Sequence, residues 1–307
     1  MARYRIDLGY RGTEFHGWAA QPGLRTVQGV LQQGLERITR VDSAQLGLTV
    51  AGRTDAGVHA RHQVAHIDLP PAAEAKIQGR RSSSVGAALC SRLNGVLRGL
   101  DASDIVIHDA RRVSEDFDAR FSALWREYSY RICDIGSFRD PLHAHMQTHI
   151  NQVLDTAVMH AEAHTILGLR DFLAVSKPRP GATTIRTLLR LTVERDEAGV
   201  VCICVRADAF CHHMVRALVG ALVRVGNGTW LPGVLARLIP AAREPRMDGE
   251  STVERAVNCV VGDEPAVYIA QPMHVFPAHG LTLEAIGYPD PTEWAARNTQ
   301  TRAKRSS

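Results

Sequence analysis

Strand-like and helix-like segments follow one another in a similar order twice along this chain. In the first half, residues 3–10 alternate like a strand, and residues 26–38 place apolar side chains at helical spacing after a Gly-rich turn. The pattern starts again after residue 120, where residues 125–133 alternate and residues 151–167 are amphipathic. The two halves share no sequence identity, but a length of 307 residues suits about two domains. The order of elements therefore predicts an α+β fold of two similar lobes.

Composition and charge exclude several classes of protein. With 45% hydrophobic and 22% charged residues, the chain is neither disordered, collagen-like nor a coiled coil. No apolar run approaches the roughly 18 residues of a membrane span, and the N-terminus MARYRIDLGY lacks an apolar signal core. We therefore expect a cytoplasmic protein with no membrane partner. The net charge of +4 permits a polyanionic partner without requiring one.

The six cysteines form no C-x-x-C pair, which favours reduced and mostly buried thiols. The alternative is a zinc site, because a C-x-C in an alternating strand places both sulfurs on one face. Its candidate ligands are Cys202, Cys204, Cys211, His212 and His213.

The segment AGRTDAGVHA is the strongest candidate site in the first half. An apolar strand delivers Arg53 and Asp55 to a turn between Gly52 and Gly57. In extended chain the two charged residues share a face, so the guanidinium can keep the carboxylate ionised for nucleophilic or base chemistry. The alternative is a surface ion pair in an Asp-Gly type of turn.

A metal hydrolase is a rival hypothesis for the same segment. His59, His62 and His66 follow Asp55 closely, and a carboxylate with three histidines can bind a metal that activates water. Their spacings do not match a helical metal pair such as H-E-x-x-H, and His66 lies within an alternating strand.

The second half of the chain contains two further candidate features, an isolated arginine and a pair of alternating tyrosines. Arg216 is an isolated charge at the start of an apolar helix, in FCHHMVRALVG, and such an arginine calls for a carboxylate or phosphate partner unless it extends to water. Tyr128 and Tyr130 share one face of the strand WREYSYRIC, a pattern usual for cross-strand packing.

Taken together, these segments resemble one family, the TruA family of tRNA pseudouridine synthases. The opening LGYRGTEFHGW, the helix TVQGVLQQGLERI, the motif AGRTDAGVHA, the segment DFDARFSA, the helix FCHHMVRALVGALVRVG and the late HGLTLEAIGYP are similar to that family's blocks and keep their order. The similarity runs from about residue 3 to residue 290, and several ordered blocks are far more specific than one motif.

The resemblance implies a role for each candidate residue. Asp55 resembles the essential catalytic residue, and Arg53 resembles the arginine that enters the helix stack and helps to extrude the target uridine. Tyr128 resembles the aromatic residue that stacks on uracil. Arg216 resembles an ion-pair partner of the aspartate, and Leu281 resembles an apolar wall residue of the pocket.

The resemblance also implies a fold, an activity and partners. The fold is that of pseudouridine synthases, with antiparallel or mixed sheets of two lobes joined across a central basic cleft and helices on the outer face. The activity is isomerisation of uridine to pseudouridine at positions 38, 39 and 40 in the anticodon stem-loop of tRNA, by a homodimer that needs no cofactor or metal. The alternative is a non-catalytic RNA-binding protein of the same fold.

The chain departs from the family pattern in places, and the order of its elements predicts where the two lobes divide. Trp18 is followed by two alanines where the family usually has Trp-Gln-x-Gln, and the aromatic residue expected within 171–175 is replaced. We expect an N-terminal lobe over 1–110, a C-terminal lobe over 111–290 with an unusual insertion at about 240–275, and a basic, disordered tail over 291–307.

Overall fold

A computed structural model describes residues 1–78, 84–178, 182–242 and 274–303 of the chain. The strands in this part are β1 (Ala2–Tyr10), β2 (Thr49–Val50), β3 (His59–Leu69), β4 (Ile105–Val113), β5 (Trp125–Cys133), β6 (Thr148–His149), β7 (Gly168–Asp171), β8 (Ile185–Arg195), β9 (Val201–Ala207) and β10 (Leu281–Gly287). The α-helices are α1 (Val27–Thr39), α2 (Pro71–Gln78), α3 (Val85–Gly99), α4 (Thr156–His164), α5 (Met214–Gly226), α6 (Val234–Leu238) and α7 (Trp294–Ala303). The predicted α+β class is confirmed. None of these helices has the length and apolar character needed to span a membrane.

The chain folds into two compact units whose boundary differs from the expected one near residue 110. The first unit contains residues 1–129, 140–148 and 278–307, and the second contains 130–139 and 149–277. A boundary at 110 would cut β4, which pairs with β1 from Arg3↔Val113 to Tyr10↔Ile105. Long-range strand pairing therefore keeps the region after residue 110 in the first unit.

The first unit is built on a mixed sheet in the order β4-β1-β3-β10. β1 runs antiparallel to β3, with Arg5 opposite His66, whereas β10 runs parallel to β3, with Thr282 opposite His59. The Tyr4 hydroxyl donates to the Glu74 carboxylate of α2 at 2.6 Å, so alternate β1 residues face the helices.

The helix predicted over residues 26–38 is confirmed as α1. Thr26 caps its N-terminus by accepting a hydrogen bond from the Gly29 N–H at 3.2 Å, and Arg40 ends it in a left-handed conformation. Val27, Leu31, Leu35 and Ile38 are buried, as their helical spacing predicts.

The second unit has the strand order β9-β8-β7. β8 and β9 form an antiparallel pair, in which Leu191 lies opposite Val205. The predicted apolar helix is α5, which is buried on nearly every side. At Gly220 a Cβ atom would lie 2.2 Å from the His274 carbonyl oxygen, so glycine lets another backbone approach this helix closely.

The C-terminal segment is a helix where we expected a disordered tail. Trp294, the first residue of α7, is buried, and its ring centroid lies 4.9 Å from that of Phe117. The Asn298 amide donates to the Asp116 carbonyl and its oxygen accepts from the Ser122 hydroxyl. These contacts come from residues more than 170 positions away, so local sequence gave no sign of them. Most of the expected insertion at 240–275 lies outside the described residues.

Candidate active site

The candidate catalytic loop, residues 51–58, leaves the sheet of the first unit directly after β2. The Ala51 N–H still donates to the Val64 carbonyl of β3 at 2.9 Å, after which the chain leaves the ladder. The Val58 N–H then donates to the Asp55 carbonyl at 3.2 Å, and Gly57 has a φ of +77°, which L side chains disfavour. The predicted strand-to-turn geometry of AGRTDAGVHA is therefore confirmed.

The side chains of this loop differ in exposure. Thr54 is buried, Asp55 is half-buried and Arg53 is exposed. Within the described part of the chain Arg53 makes no ion pair, so the expected support of the Asp55 carboxylate by Arg53 is absent from this structure. Arg53 instead presents its charge to solvent beside the aspartate.

Tyr128 lies in β5 with its side chain 8% exposed, and the Asp55 carboxylate is close enough to influence it. Burial raises the pKa of the Tyr128 phenol above its ordinary value, the neighbouring Tyr10 phenol and Asp55 carboxylate add to that effect, and Arg126 opposes it. Tyr128 is therefore a neutral phenol at neutral pH, near the carboxylate in the same unit.

Leu281 is the first residue of β10, in the same unit. Its side chain is 6% exposed, and the next residue, Thr282, lies opposite His59 in the parallel pairing with β3. A Cβ atom at Gly57 would lie 3.3 Å from the Ala278 Cβ, so the residues before β10 pack against the turn that follows Asp55. The first unit thus contains Arg53, Asp55, Tyr128 and Leu281, and the segment that leads into Leu281 packs against the loop that carries Asp55.

Arg216 belongs to the second unit, in the first turn of α5. Its Nε donates to the Phe276 carbonyl at 2.6 Å, and its own carbonyl accepts from the Phe276 N–H at 3.2 Å. The side chain is half-buried, which fixes the guanidinium more firmly than an arginine that only extends to water. Its expected ion pair with Asp55 stays a prediction.

His59, which begins β3, is a structural residue that joins three segments around the loop. Its Nδ1 accepts from the Gly12 N–H at 3.0 Å, so the ring proton is on Nε2, which faces the His145 and His279 carbonyl oxygens at 3.1 Å each. Burial lowers the pKa of His59, which keeps the ring neutral.

The histidine set of the metal hypothesis does not converge. The His62 Nε2 lies 2.7 Å from the Asp7 carboxylate, and the His66 Nδ1 accepts from the Ala119 N–H at 3.0 Å. Each ring of the trio therefore has its own partner in the first unit. The pattern GVHA offered no signal that His59 would bond to backbone 86 and 220 residues away.

A second group that the sequence analysis missed lies beneath the loop. The Tyr10 hydroxyl and the Thr54 hydroxyl are 2.7 Å apart, and both side chains are buried. Burial raises the pKa of Tyr10 to about 12. The Gln63 amide donates to the Gly52 carbonyl at 2.8 Å, and the Arg126 guanidinium donates to the Ala51 carbonyl at 2.9 Å. The loop is thus held from below by side chains of three strands.

This arrangement limits the chemistry of the region. A half-buried carboxylate is available as a nucleophile or a base. Its charge influences the buried phenol of Tyr128, and an aromatic ring of this kind suits the binding of a planar heteroaromatic base. An exposed arginine lies two residues from the carboxylate.

Comparison with known proteins identifies the family. A family model described as tRNA pseudouridine synthase matches residues 162–258. Over the whole chain, the sequence is 45% identical to tRNA pseudouridine synthase A of Leifsonia xyli subsp. xyli, and the match covers 99% of this chain and 98% of that relative. The chain belongs to the tRNA pseudouridine synthase A family. The resemblance of its motifs to that family is confirmed.

Other members of the tRNA pseudouridine synthase A family agree over a similar length. The protein of that name from Cutibacterium acnes is 43% identical, with 100% of this chain and 96% of the relative covered. The one from Streptomyces avermitilis is also 43% identical, with 100% and 95% covered. This membership supports the pseudouridine synthase fold for the α+β architecture described above.

Proposed function

We propose that this protein isomerises uridine to pseudouridine in tRNA, at positions 38, 39 and 40 of the anticodon stem-loop, with Asp55 as the catalytic residue. The observation that carries the proposal is the half-buried Asp55 carboxylate, which lies on a loop that ends in a glycine turn and is close enough to influence the Tyr128 phenol. Family membership over the full length gives the reaction and the substrate class.

The reaction needs one group that can act as a nucleophile or as a general base. Uridine and pseudouridine are isomers: the C1′–N1 bond breaks, the base turns, a C1′–C5 bond forms, C5 loses its proton and N1 gains one. A carboxylate can promote departure of the base by attack at C1′, by attack at C6, or by removal of the 2′ proton. Asp55 supplies that carboxylate in each route.

The other residues serve extrusion and binding of the base. An enzyme that acts on a base inside a stem must take it out of the stack and hold it against an aromatic or apolar surface. Tyr128 provides the stacking face, Leu281 provides an apolar wall, and exposed Arg53 fills the space that the base leaves. Arg216 is the proposed ion-pair partner of Asp55.

The proposal is tested with an unmodified tRNA transcript that carries uridines at positions 38 to 40. Wild type, Asp55→Asn and Asp55→Ala are incubated with it in EDTA, and the nucleosides are analysed. Wild type alone is expected to form pseudouridine, and both variants are expected to lose at least about 1,000-fold in rate, since the essential group is gone. Equal product from Asp55→Asn and wild type would refute the role of Asp55. Tight tRNA binding without product from wild type would favour the RNA-binding alternative.

The site within the tRNA and the assembly are tested separately. Transcripts with a single uridine at 38, 39 or 40 are each expected to be modified, whereas a transcript with cytidine at all three positions is expected to give no product. We further propose a cytoplasmic homodimer. Light scattering coupled to size-exclusion chromatography is expected to give twice the 33.6 kDa mass of one chain. A mass near that of one chain would contradict the homodimer.

A further inference from the structure

A hydrogen bond between two buried hydroxyl groups joins the proposed catalytic loop to β1. The Thr54 Oγ1 and the Tyr10 Oη are 2.7 Å apart, and the two side chains are 7% and 5% exposed. Valine and phenylalanine would fill the same space without polar atoms to satisfy. The hydrogen bond between the hydroxyls therefore fixes the orientation of both side chains, which apolar packing alone would not do.

Tyr10 is a rigid anchor for this bond. It is the last residue of β1, and its ring packs against Phe15 and Trp18 at centroid distances of 6.5 and 6.1 Å. The Gln63 amide reaches the Tyr10 hydroxyl at 3.4 Å and donates to the Gly52 carbonyl at 2.8 Å. The hydroxyl is thus held by a strand end and two aromatic neighbours.

The main chain on both sides of Asp55 is fixed by the same N-terminal segment. The Thr54 carbonyl accepts from the Trp18 N–H at 3.0 Å, and the Gly57 N–H donates to the Phe15 carbonyl at 3.1 Å. Thr54 is the neighbour of Asp55, and its side chain is buried while Asp55 is half-buried. Holding Thr54 inward therefore sets the direction in which the next side chain leaves the loop.

We propose that Thr54 and Tyr10 are positioning residues for the reaction of Asp55: their hydroxyl pair holds the loop so that the carboxylate meets the target nucleoside in one orientation. This inference rests on the proposed function. Neither hydroxyl needs to touch the substrate. Displacement of a catalytic group by about 1 Å can cost roughly 100-fold in rate, so a bond of modest strength can govern catalysis through geometry.

The expected signature is a fall in kcat with little change in KM. Thr54→Val keeps the shape of the side chain and removes the hydroxyl, and we expect kcat to fall between about 10-fold and 100-fold. Thr54→Ser restores the hydroxyl and should stay within about threefold of wild type. Tyr10→Phe removes the same bond from the other side, together with the 3.4 Å contact from Gln63, and should lose at least as much kcat as Thr54→Val. The double variant should be hardly slower than Tyr10→Phe alone, because the bond between the two hydroxyls is already absent from that variant.

A matched control separates positioning from general loss of stability. Thr39 is also a buried threonine of the first unit, whose hydroxyl donates to the Leu35 carbonyl at 2.7 Å and accepts from the Val41 N–H at 3.1 Å. It lies at the end of α1, away from the loop in sequence. Thr39→Val should lower the melting temperature about as much as Thr54→Val but leave kcat within twofold of wild type.

The experiment measures steady-state pseudouridine formation, tRNA binding and thermal unfolding for the wild type and these five variants. If Thr54→Val does not fold, Tyr10→Phe and Thr54→Ser carry the test. Wild-type kcat in both Thr54→Val and Tyr10→Phe, with wild type active, would overturn the positioning role and leave the proposed function intact. An inactive Thr54→Ser, or an equal loss in Thr39→Val, would also overturn it. A wild type that makes no pseudouridine would instead refute the proposed function, and this inference with it.

Discussion

Removal of the Asp134 carboxylate should be one of the most destabilising single changes in the second unit. Its side chain is fully buried and accepts two hydrogen bonds from Arg195, at 2.6 and 3.0 Å. It also accepts from the Leu154 N–H at 3.0 Å, the Gly136 N–H at 3.1 Å and the Ser137 hydroxyl at 2.9 Å. One carboxylate therefore satisfies donors from three separate segments.

The magnitude follows from what the change leaves behind. Removing one partner of a buried ion pair costs about 3–5 kcal/mol. Arg195 is 30% exposed and keeps hydrogen bonds to the Gly199 and Leu154 carbonyls, so the orphaned charge stays partly satisfied and the lower end applies. We expect Asp134→Ala to lower the free energy of unfolding by about 3 kcal/mol and Asp134→Asn, which keeps one acceptor, by about 2 kcal/mol.

Urea unfolding at pH 7 measures these losses, with Asp109→Asn as the control. Asp109 pairs with Arg111 at 3.0 Å, but both side chains are about half exposed, so its loss should cost well under 1 kcal/mol. A loss below 1 kcal/mol for Asp134→Ala would refute the reasoning, since the buried donors would then have found other partners.

The pH dependence gives an independent check on the same group. Burial by itself would raise the pKa of Asp134, but the hydrogen bonds from Arg195, Leu154 and Ser137 outweigh it and lower the pKa to about 2. The carboxylate therefore contributes stability above pH 4 that is lost as the pH falls through about 2. Asp134→Asn should remove that part of the acid sensitivity and leave the rest of the profile unchanged.

Two further predictions concern stability at other positions. Burial, helped by the charge of Arg3, lowers the pKa of His66 from 6.5 to about 4. As the pH falls, the unfolded chain therefore binds a proton at this histidine before the folded chain does. The free energy of unfolding should fall by about 2 kcal/mol between pH 6.5 and 5. His66→Asn, which can still accept the Ala119 N–H, should flatten the unfolding free energy over that range, and an unchanged slope would contradict this cause. Gly220→Ala should lower the melting temperature sharply, because the new Cβ would lie 2.2 Å from a carbonyl oxygen. Gly95→Ala is the control: this position in α3 has open space around it, so the variant should raise the free energy of unfolding by about 0.5–1 kcal/mol. Equal melting temperatures of the two variants would show that the backbone near Gly220 yields.

Local features of the fold could be predicted from the sequence because neighbouring residues determine them. The helix expected over 26–38 is observed at Val27–Thr39, since its apolar spacing and the Thr26 cap are both local. The turn after Asp55 followed from the two glycines in the same way. The division into units did not follow, because β10 pairs with β3 more than 200 residues earlier in the chain.

The candidate site shows the same division between local and long-range information. The motif and its resemblance pointed to Asp55, but the motif contains no trace of the Tyr10 hydroxyl 44 residues earlier, to which Thr54 bonds. Nor did helical periodicity indicate α7, because Trp294 is held by an aromatic cluster with Phe117 and not by an apolar stripe. Contacts between distant segments carry this information, and a single sequence does not record which segments meet.

His59 and Thr54 both hold the loop, but His59 fixes its position and Thr54 fixes the direction of the neighbouring carboxylate. His59 follows the turn and joins Gly12 to the carbonyls of His145 and His279, so it fixes where the loop ends among three distant segments. Thr54 precedes Asp55 and is fixed to a strand end by one directional bond. Loss of His59 would leave a buried N–H and two carbonyl acceptors without their partner, and should therefore destabilise the whole first unit. Loss of the Thr54 hydroxyl leaves the packing intact, so its effect should fall on the direction of the carboxylate and hence on the rate of reaction.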